Sequence, residues 1–273
     1  MAATVSLSAA ARSSLLSLQS TADLIDRTNN RLSSGLKVAS PVDDSKIFFE
    51  ARALSDRAQS LDERKDNIDQ GVSSLGTALE TAESIDALVR QAKGIALSSK
   101  TATGTELTSL VTQYNTVLAQ LDLLVADGTF QGLNLVNNST QTLTIQFSEL
   151  TTSILTVTAQ RLDTNSLGLN ITSASSFSLT SIIDAAIVEL DAAITELRGA
   201  SKTLGANVAL LQTRLDFTES YVNELQIGAD KLTLADVSEE GANLVALQTR
   251  QQLGINSLAF AGQSEQNILA LFR

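Results

Sequence analysis

Asp43 and Asp44 stand side by side two residues after Pro41, the only proline of the chain. A carboxylate pair can hold a hard cation through its oxygens. It can equally suit the start of a helix, where free N–H groups and the helix dipole favour negative charge. The surrounding stretch, LSSGLKVASPVDDSKIFFEARAL over residues 32–54, supports the second role. A helical pattern runs up to Leu32 and meets Gly35, which can take the left-handed conformation that ends a helix. Pro41 disfavours a helical conformation at Ser40, and a longer helical pattern begins after the two acids. Gly35, Pro41, Asp43 and Asp44 therefore read as a connector between two helices. The other acids are scattered along helical faces, so no carboxylate metal cluster is expected.

Residue types remove most other chemistry. The 273 residues include no histidine, no cysteine and no tryptophan. No Ser-His-Asp or Cys-His nucleophile can form. Nor can a Cys/His zinc or iron–sulfur site, and no disulfide constrains the fold. The acceptor triplets within NNST (137–140) and NIT (170–172) are too short to carry weight. No catalytic, cofactor-binding or metal site is expected, and an enzyme is the least favoured class. A net charge of −11, from 19 basic and 30 acidic residues without a basic stripe, argues against nucleic acid. No apolar run approaches the roughly 18 residues of a membrane span. The opening MAATVSLSAAARSSLL has no basic region ahead of an apolar stretch and does not read as a cleavable secretory signal. Cytoplasmic retention, or export by another route, both fit.

These residues need elements to place them, and the pattern is mostly helical. Hydrophobic residues make up 43 % of the chain but aromatics only 4 %, so the core is built from Leu, Ile, Val and Ala, as in helix bundles and coiled coils. Leu15, Leu18, Ala22, Ile25 and Leu32 form one helical stripe. After the connector, Ile47, Ala51, Leu54, Ala58, Leu61, Ile68, Val72, Leu75, Leu79 and Ala82 repeat at four-then-three spacing, broken only by Lys65. Ile85, Leu88, Ala92 and Ile95 continue the stripe after a slip in phase. The whole helix would be about 75 Å long at 1.5 Å per residue. A third helix carries Leu107, Leu110, Tyr114, Val117, Leu121 and Leu124 on one face. QTLTIQF (141–147) and SILTVTA (153–159) alternate apolar and hydroxyl residues, which predicts a β-hairpin. Residues 160–180 have no clear period. From Ile183 to Leu232 the four-three alternation runs without a slip, the pattern of a coiled-coil seam. Its natural partner is the Ile47–Ile95 helix, running the other way.

The last segment, ADVSEEGANLVALQTRQQLGINSLAFAGQSEQNILALFR, repeats Leu247, Leu258 and Leu269 at intervals of eleven, on one helical face. It is about as long as the first helix, and neither can be buried in a rod that is already paired. The expected fold is mainly α: a long antiparallel coiled-coil rod with a small β-hairpin region, plus a discontinuous helical domain formed by the two termini. The expected boundaries are 1–42 with 233–273 for the terminal domain, and 43–232 for the rod with its hairpin at about 141–159. Apolar ends on a rigid rod suggest a self-assembling subunit, because head-to-tail contacts that do not close make an open helical filament. Such ends tend to order on association. Leu15, Leu18, Ala22, Ile25, Leu32, Leu244, Leu247, Leu258, Ile268, Leu269, Phe272 and Arg273 are the residues expected to meet neighbouring subunits.

At both ends the chain resembles a known family. LSSGLKVASPVDDSKIFFEARAL is similar to the N-terminal signature of bacterial flagellins, whose usual form is LSSGLRINSAxDDAAGLAIA. The C-terminal segment is similar to the matching signature, with an acidic start, a QQLG and an ending ILALFR. The resemblance covers nearly the whole chain and implies a filament subunit, secreted to the extracellular bacterial flagellum for swimming motility. The terminal helices would form the inner tube and the rod the surrounding shell. Outer variable domains would be absent, replaced by the short loop at 160–180. Export would run unfolded through the flagellar type III apparatus. The implied partners are further copies in a homopolymer, the hook-associated junction and cap proteins, and an export chaperone, with no nucleic acid and no membrane span. Many flagellins carry a stretch that innate immune receptors recognise. Here ALVRQAKGIAL keeps the arginine as Arg90 but departs at residues 91–94, and Gln113 stands where a glutamate is usual, so weak recognition is expected. Two rivals remain: a hook–filament junction protein of the same superfamily, and a non-polymerising coiled-coil adaptor or adhesin.

Overall fold

The computed structural model describes residues 9–137 and 140–271. In chain order the elements are α1 (Ala9–Ser34), α2 (Ser45–Ser99), α3 (Gly104–Asp127), β1 (Thr129–Phe130), β2 (Leu133–Asn134), β3 (Thr142–Gln146), β4 (Ile154–Thr158), α4 (Thr180–Thr233) and α5 (Val237–Leu271). The expected fold class holds: mainly long helices, an antiparallel β3–β4 hairpin, and terminal helices that pack together. The chain divides into two compact units. One joins the residues up to Arg57 with those from Glu224 onward; the other runs from Ala58 to Asn223.

In the second unit α2 and α4 run antiparallel. Lys93 bonds Asp191, Lys100 Nζ lies 2.6 Å from Asp184 Oδ1, and Gly71 sits beside Leu211. As one number rises the other falls, which is the register of an antiparallel pair. Ile68, Leu75, Ala82, Val89 and Ala96 on α2 are buried at seven-residue intervals. Ile183, Leu190, Leu197, Leu204 and Leu211 do the same on α4. Each buried Leu or Ile contributes roughly 1.5–3 kcal/mol.

The phase slip read near Ala82 has a packing cause. Here α3 joins the pair: it turns back after Thr103, and its capping Gly128 lies against Thr81 of α2. A helix with two partners buries a wider face, so Ala78, Ile85 and Ala92 are buried beside the first stripe. On α3 itself the buried face is Tyr114, Val117, Leu118, Leu121 and Val125, rotated from the expected one. The last carbonyls of α3 find a donor in buried Asn134, whose Nδ2 reaches Val125 O at 2.7 Å and Ala126 O at 3.3 Å. Helix ends need such partners when they are covered. Asn134 belongs to a second, smaller hairpin that the sequence pattern did not announce. Its turn residues Gln131 and Gly132 have φ of 49° and 82°, the left-handed pair that joins a two-residue hairpin.

Residues 160–180 form an ordered strap rather than a free loop. Leu162, Leu169, Ile171 and Phe177 are buried in the helical core. Polar side chains pin the strap: Asn115 exchanges two bonds with the backbone of Ala174, at 2.8 and 2.9 Å, and Asp122 accepts from Thr164 N at 2.9 Å. Tyr114 sits beneath it, edge-on to Phe177 at 5.2 Å between ring centroids.

Two outcomes follow. Burial, aided by the negative charge of Glu189, pushes the Tyr114 phenol up from its ordinary 10.0 to about 12. The folded chain favours the neutral phenol, so this stability is full below pH 10 and is lost as pH rises through 12. Tyr114→Phe removes the titrating group, and its thermal midpoint is expected to fall less steeply than that of the unaltered protein between pH 10 and 12. Parallel curves would contradict the assignment. Gly71 lies under Ile145 of β3, and an added Cβ would overlap the Ile145 side chain. Gly71→Val is therefore expected to destabilise by about 1–3 kcal/mol in a denaturant titration, whereas Gly76→Ala, with nothing within 4 Å of its Cβ, is not.

Candidate assembly surface

The connector between α1 and α2 is built from short-range hydrogen bonds. Gly35 has φ +71° and its N–H donates to Arg31 O at 2.8 Å, closing α1. Ser40 to Asp43 make a turn with Pro41 at its second position, and Asp43 N donates to Ser40 O at 3.1 Å. Asp43 Oδ2 accepts from Ser40 Oγ at 3.0 Å, Ser40 N at 3.0 Å and Ala39 N at 3.1 Å. The Ser40 hydroxyl leads the bonds that hold this carboxyl below its usual range. Asp44 Oδ1 accepts from Ile47 N at 3.0 Å and caps α2. Both acids are thus committed to backbone N–H groups.

The connector is tied to the residues that lead into α5. Lys37 N and Val38 N both donate to Thr233 O, at 2.7 and 3.3 Å, and Ala235 N donates to Gly35 O at 2.9 Å. Leu36 and Leu234 form an antiparallel bridge. Asp236 then caps α5, its Oδ1 accepting from Ser238 N at 2.9 Å and Glu239 N at 3.1 Å. One turn into α5, Glu240 is buried and bonds Arg31 Nη1 at 2.8 Å. A partly buried pair of this kind fixes register, because leaving either charge alone is costly.

Beyond this lock α1 and α5 pack closely. The inner face of α1 carries buried Ala11, Thr21 and Thr28 with half-buried Leu18, Ala22, Ile25 and Leu32. Thr21 can be buried because its hydroxyl donates to Ser17 O at 2.8 Å, within its own helix. Across the seam stand half-buried Leu244, Leu247, Gly254 and Leu258. Gly254 permits the close approach: an added Cβ would come within 2.8 Å of Leu18 Cδ2.

Large apolar side chains also stand away from the seam, among polar ones. Leu15, Leu16 and Leu24 on α1, and Val245, Leu253, Ile255 and Phe260 on α5, are exposed, with Leu16 at 69 % and Phe260 at 72 %. Val42 and Phe49, in and just after the connector, are exposed too. Of the residues expected to meet neighbours, Leu18, Ala22, Ile25, Leu32, Leu244, Leu247 and Leu258 face the seam, and Leu15 lies off it. The side chains of Ile268 and Leu269, and all of Phe272 and Arg273, lie outside the described residues, as do Asn138 and Ser139 of the first acceptor triplet. The threonines of the seam and the outward Leu16, Leu253 and Phe260 escaped a search for one stripe per helix. Their signal was present as apolar residues off the stripe.

Arg90 and Gln113 are surface residues of the other unit. Arg90 grips Asp86 with Nε at 2.6 Å and Nη2 at 3.2 Å, and Gln113 Nε2 reaches Ser109 Oγ at 3.4 Å. Among the described residues no cluster of acids is arranged to hold a metal ion, and no helix is long and apolar enough to cross a membrane.

Long paired helices that leave apolar side chains exposed where the chain ends meet define the architecture. Comparison with known proteins gives the family. The profile of the bacterial flagellin C-terminal helical region matches residues 187–272. Flagellin FljM of Caulobacter vibrioides is 30 % identical over 261 residues, 95 % of this chain and 94 % of that one. A flagellin of Brucella melitensis is 26 % identical over 280 residues, 99 % of each chain. Among solved structures, a putative flagellar hook-associated protein from Vibrio parahaemolyticus shares the fold with a TM-score of 0.58 at 12 % identity, over 70 % of this chain and 100 % of that one. The chain belongs to the bacterial flagellin family, whose members are structural subunits of the extracellular flagellar filament used for motility.

Gly254→Leu is expected to force α1 away from α5 and speed trypsin cleavage at Arg27 and Arg31. Gly262→Leu, where an added Cβ meets nothing within 4 Å, is the control. Equal cleavage of the two variants would show that the seam does not depend on close approach at Gly254.

Proposed function

We propose that this chain polymerises into the helical filament through its terminal helices. The observation that carries the reading is the second apolar face on α1 and α5, exposed after the two helices have covered their first faces. Leu16, Val245, Leu253 and Phe260, each more than 60 % exposed along the two terminal helices, favour contact with another surface. Residues 1–42 with 233–273 act as the inner-tube part, and 43–232 as the surrounding part, with no outer variable domains beyond the strap at 160–180. Leu15 with Leu16, Leu24, Leu253 and Phe260 meet neighbouring copies. Leu18, Ala22, Ile25, Leu32, Leu244, Leu247 and Leu258 hold the seam that presents them, and Ile268, Leu269, Phe272 and Arg273 are further contact residues in this reading. Full ordering of the ends accompanies assembly. Gly35, Pro41, Asp43 and Asp44 set where α1 leaves α2. The junction and cap proteins, an export chaperone and the type III export apparatus are the further partners in this reading. Flagellin relatives that match nearly end to end favour a filament subunit over a junction protein.

Copies with charge −11 repel at low salt, and screening acts inside about 10 Å at 0.1 M. Sulfate also strengthens apolar burial by exclusion. Light scattering of monomer seeded with filament fragments is therefore expected to rise with salt, and most with sulfate. Chains lacking residues 1–32 or 245–273 are expected to stay monomeric across the series; fibres from either would defeat the reading. The Arg90 guanidinium is held by Asp86, and Gln113 offers no charge. Purified monomer is accordingly expected to activate innate flagellin receptors weakly in a reporter-cell assay, and full activation would oppose this assignment.

A further inference from the structure

Arg31 and Glu240 are 209 residues apart in the chain, so bringing them together carries a loop-closure cost. The pairing of α2 with α4 meets that cost beforehand. In the unit that holds both chain ends, Ala51, Leu225 and Ala229 are buried, and an added Cβ on Gly228 would meet Leu54 at 3.5 Å. From this anchored pair the chain runs a short way to the connector on one side and to Thr233 on the other. There the bonds from Lys37 N and Val38 N to Thr233 O, and from Ala235 N to Gly35 O, join the two segments. Each further turn of α1 then finds its partner turn on α5 already beside it. A first contact at the far end, such as Leu18 against Gly254, would have to close a longer loop.

The cost of starting a helix points the same way. A helix nucleus fixes several residues for one hydrogen bond. Beside the connector that cost is offset. Asp236 takes the free N–H groups of Ser238 and Glu239, Gly35 N donates to Arg31 O and closes α1, and buried Glu240 bonds Arg31 across the pair.

The seam is also better filled at this end, with Ile25, Leu32, Leu244 and Leu247. Farther out, Ala11 and Ser14 on α1 and Gly254 and Ala261 on α5 occupy it, and Leu18 and Leu258 are the large side chains there. Glycine stands once in the inner half of α5, at 241, and twice in the outer half, at 254 and 262. Each weakens a helix that has no partner.

We propose that α1 and α5 order as one pair that zips from the connector outward, with the connector lock as its nucleus and the outer halves ordering last. The inference concerns a single chain and stands apart from the filament reading. Within that reading it means that a joining copy sets its connector before its tips engage neighbours.

The test follows amide hydrogen exchange by mass spectrometry in the full chain, as monomer, through a sulfate series below the onset of light scattering. Sulfate strengthens apolar burial. Protection is expected to appear first in residues 25–34 and 237–248, in both helices at the same sulfate, and only later in 11–20 and 254–263. Asp236→Ala, which removes the α5 cap, is expected to lower protection about fivefold along both helices. Leu258→Ala is expected to lower it only in the outer halves. Protection that appears first in the outer halves, in one helix alone, along the whole length at once, or not at all before scattering begins overturns the proposal. Seeded growth gives a second readout, because changes in a nucleus alter the forward rate and later contacts alter the reverse one. Asp236→Ala is expected to slow elongation about fivefold with dissociation unchanged. Leu258→Ala is expected to speed dissociation with elongation unchanged, and the opposite assignment overturns the proposal. Failure of the unaltered protein to form filaments at any salt sinks the filament reading alone, because the exchange series needs only monomer.

Discussion

A helix with apolar side chains on two faces needs two partners, and within this chain α1 and α5 each have one. Their first faces meet along a seam of threonine, alanine and leucine, drawn close by Gly254. Their second faces, with Leu16 and Phe260, remain in contact with water. Capping and ion pairing cluster where these helices meet the connector. Gly35, the Asp43 turn, the Asp44 and Asp236 caps and the Arg31–Glu240 bond all lie within a few residues of the point where the terminal helices begin.

The other unit follows a different economy. Its core forms within the chain, through two seven-residue repeats that interlock and a third helix that widens the buried face, while Leu123, Leu150, Leu167, Val188 and Phe217 stay exposed. Where periodic packing ends, polar side chains take over. Asn115 and Asp122 bond backbone that belongs to no helix or sheet ladder, and Asn134 bonds the last carbonyls of α3, so that irregular segments are held against the helices. Side chains that imitate backbone can do this where a strap has no ladder of its own. Arg64 Nε and Ser74 Oγ on α2 are the buried donors that this accounting leaves over among the described residues.

Charge has a secondary part in holding the fold. Several ion pairs are exposed neighbours on one helix, such as Arg52–Asp56 and Lys46–Glu50, and Lys100–Asp184 joins α2 to α4 near the surface; such pairs contribute less than about 1 kcal/mol. Arg31–Glu240 differs in joining the two terminal helices through a buried acid.

Helix number, the antiparallel pairing of α2 with α4, the β3–β4 hairpin and the connector at Gly35 to Asp44 were all legible from residue order. Each rests on local rules: apolar period, turn residues and helix caps act over a few positions. The same is true of the family resemblance, carried by two unbroken strings at the chain ends. Tertiary structure decided the rest. Which face of α3 is buried, why the α2 stripe widens after Leu75, and how residues 160–180 lie on the core depend on a third body that no period reveals. The threonine seam of α1 was hidden because Thr21 hides its hydroxyl in its own helix and then packs like an apolar residue. The crevice that Arg64 and Ser74 line is walled by β3, the β1–β2 turn and α2, parts far apart in sequence, which become neighbours only when the chain is folded.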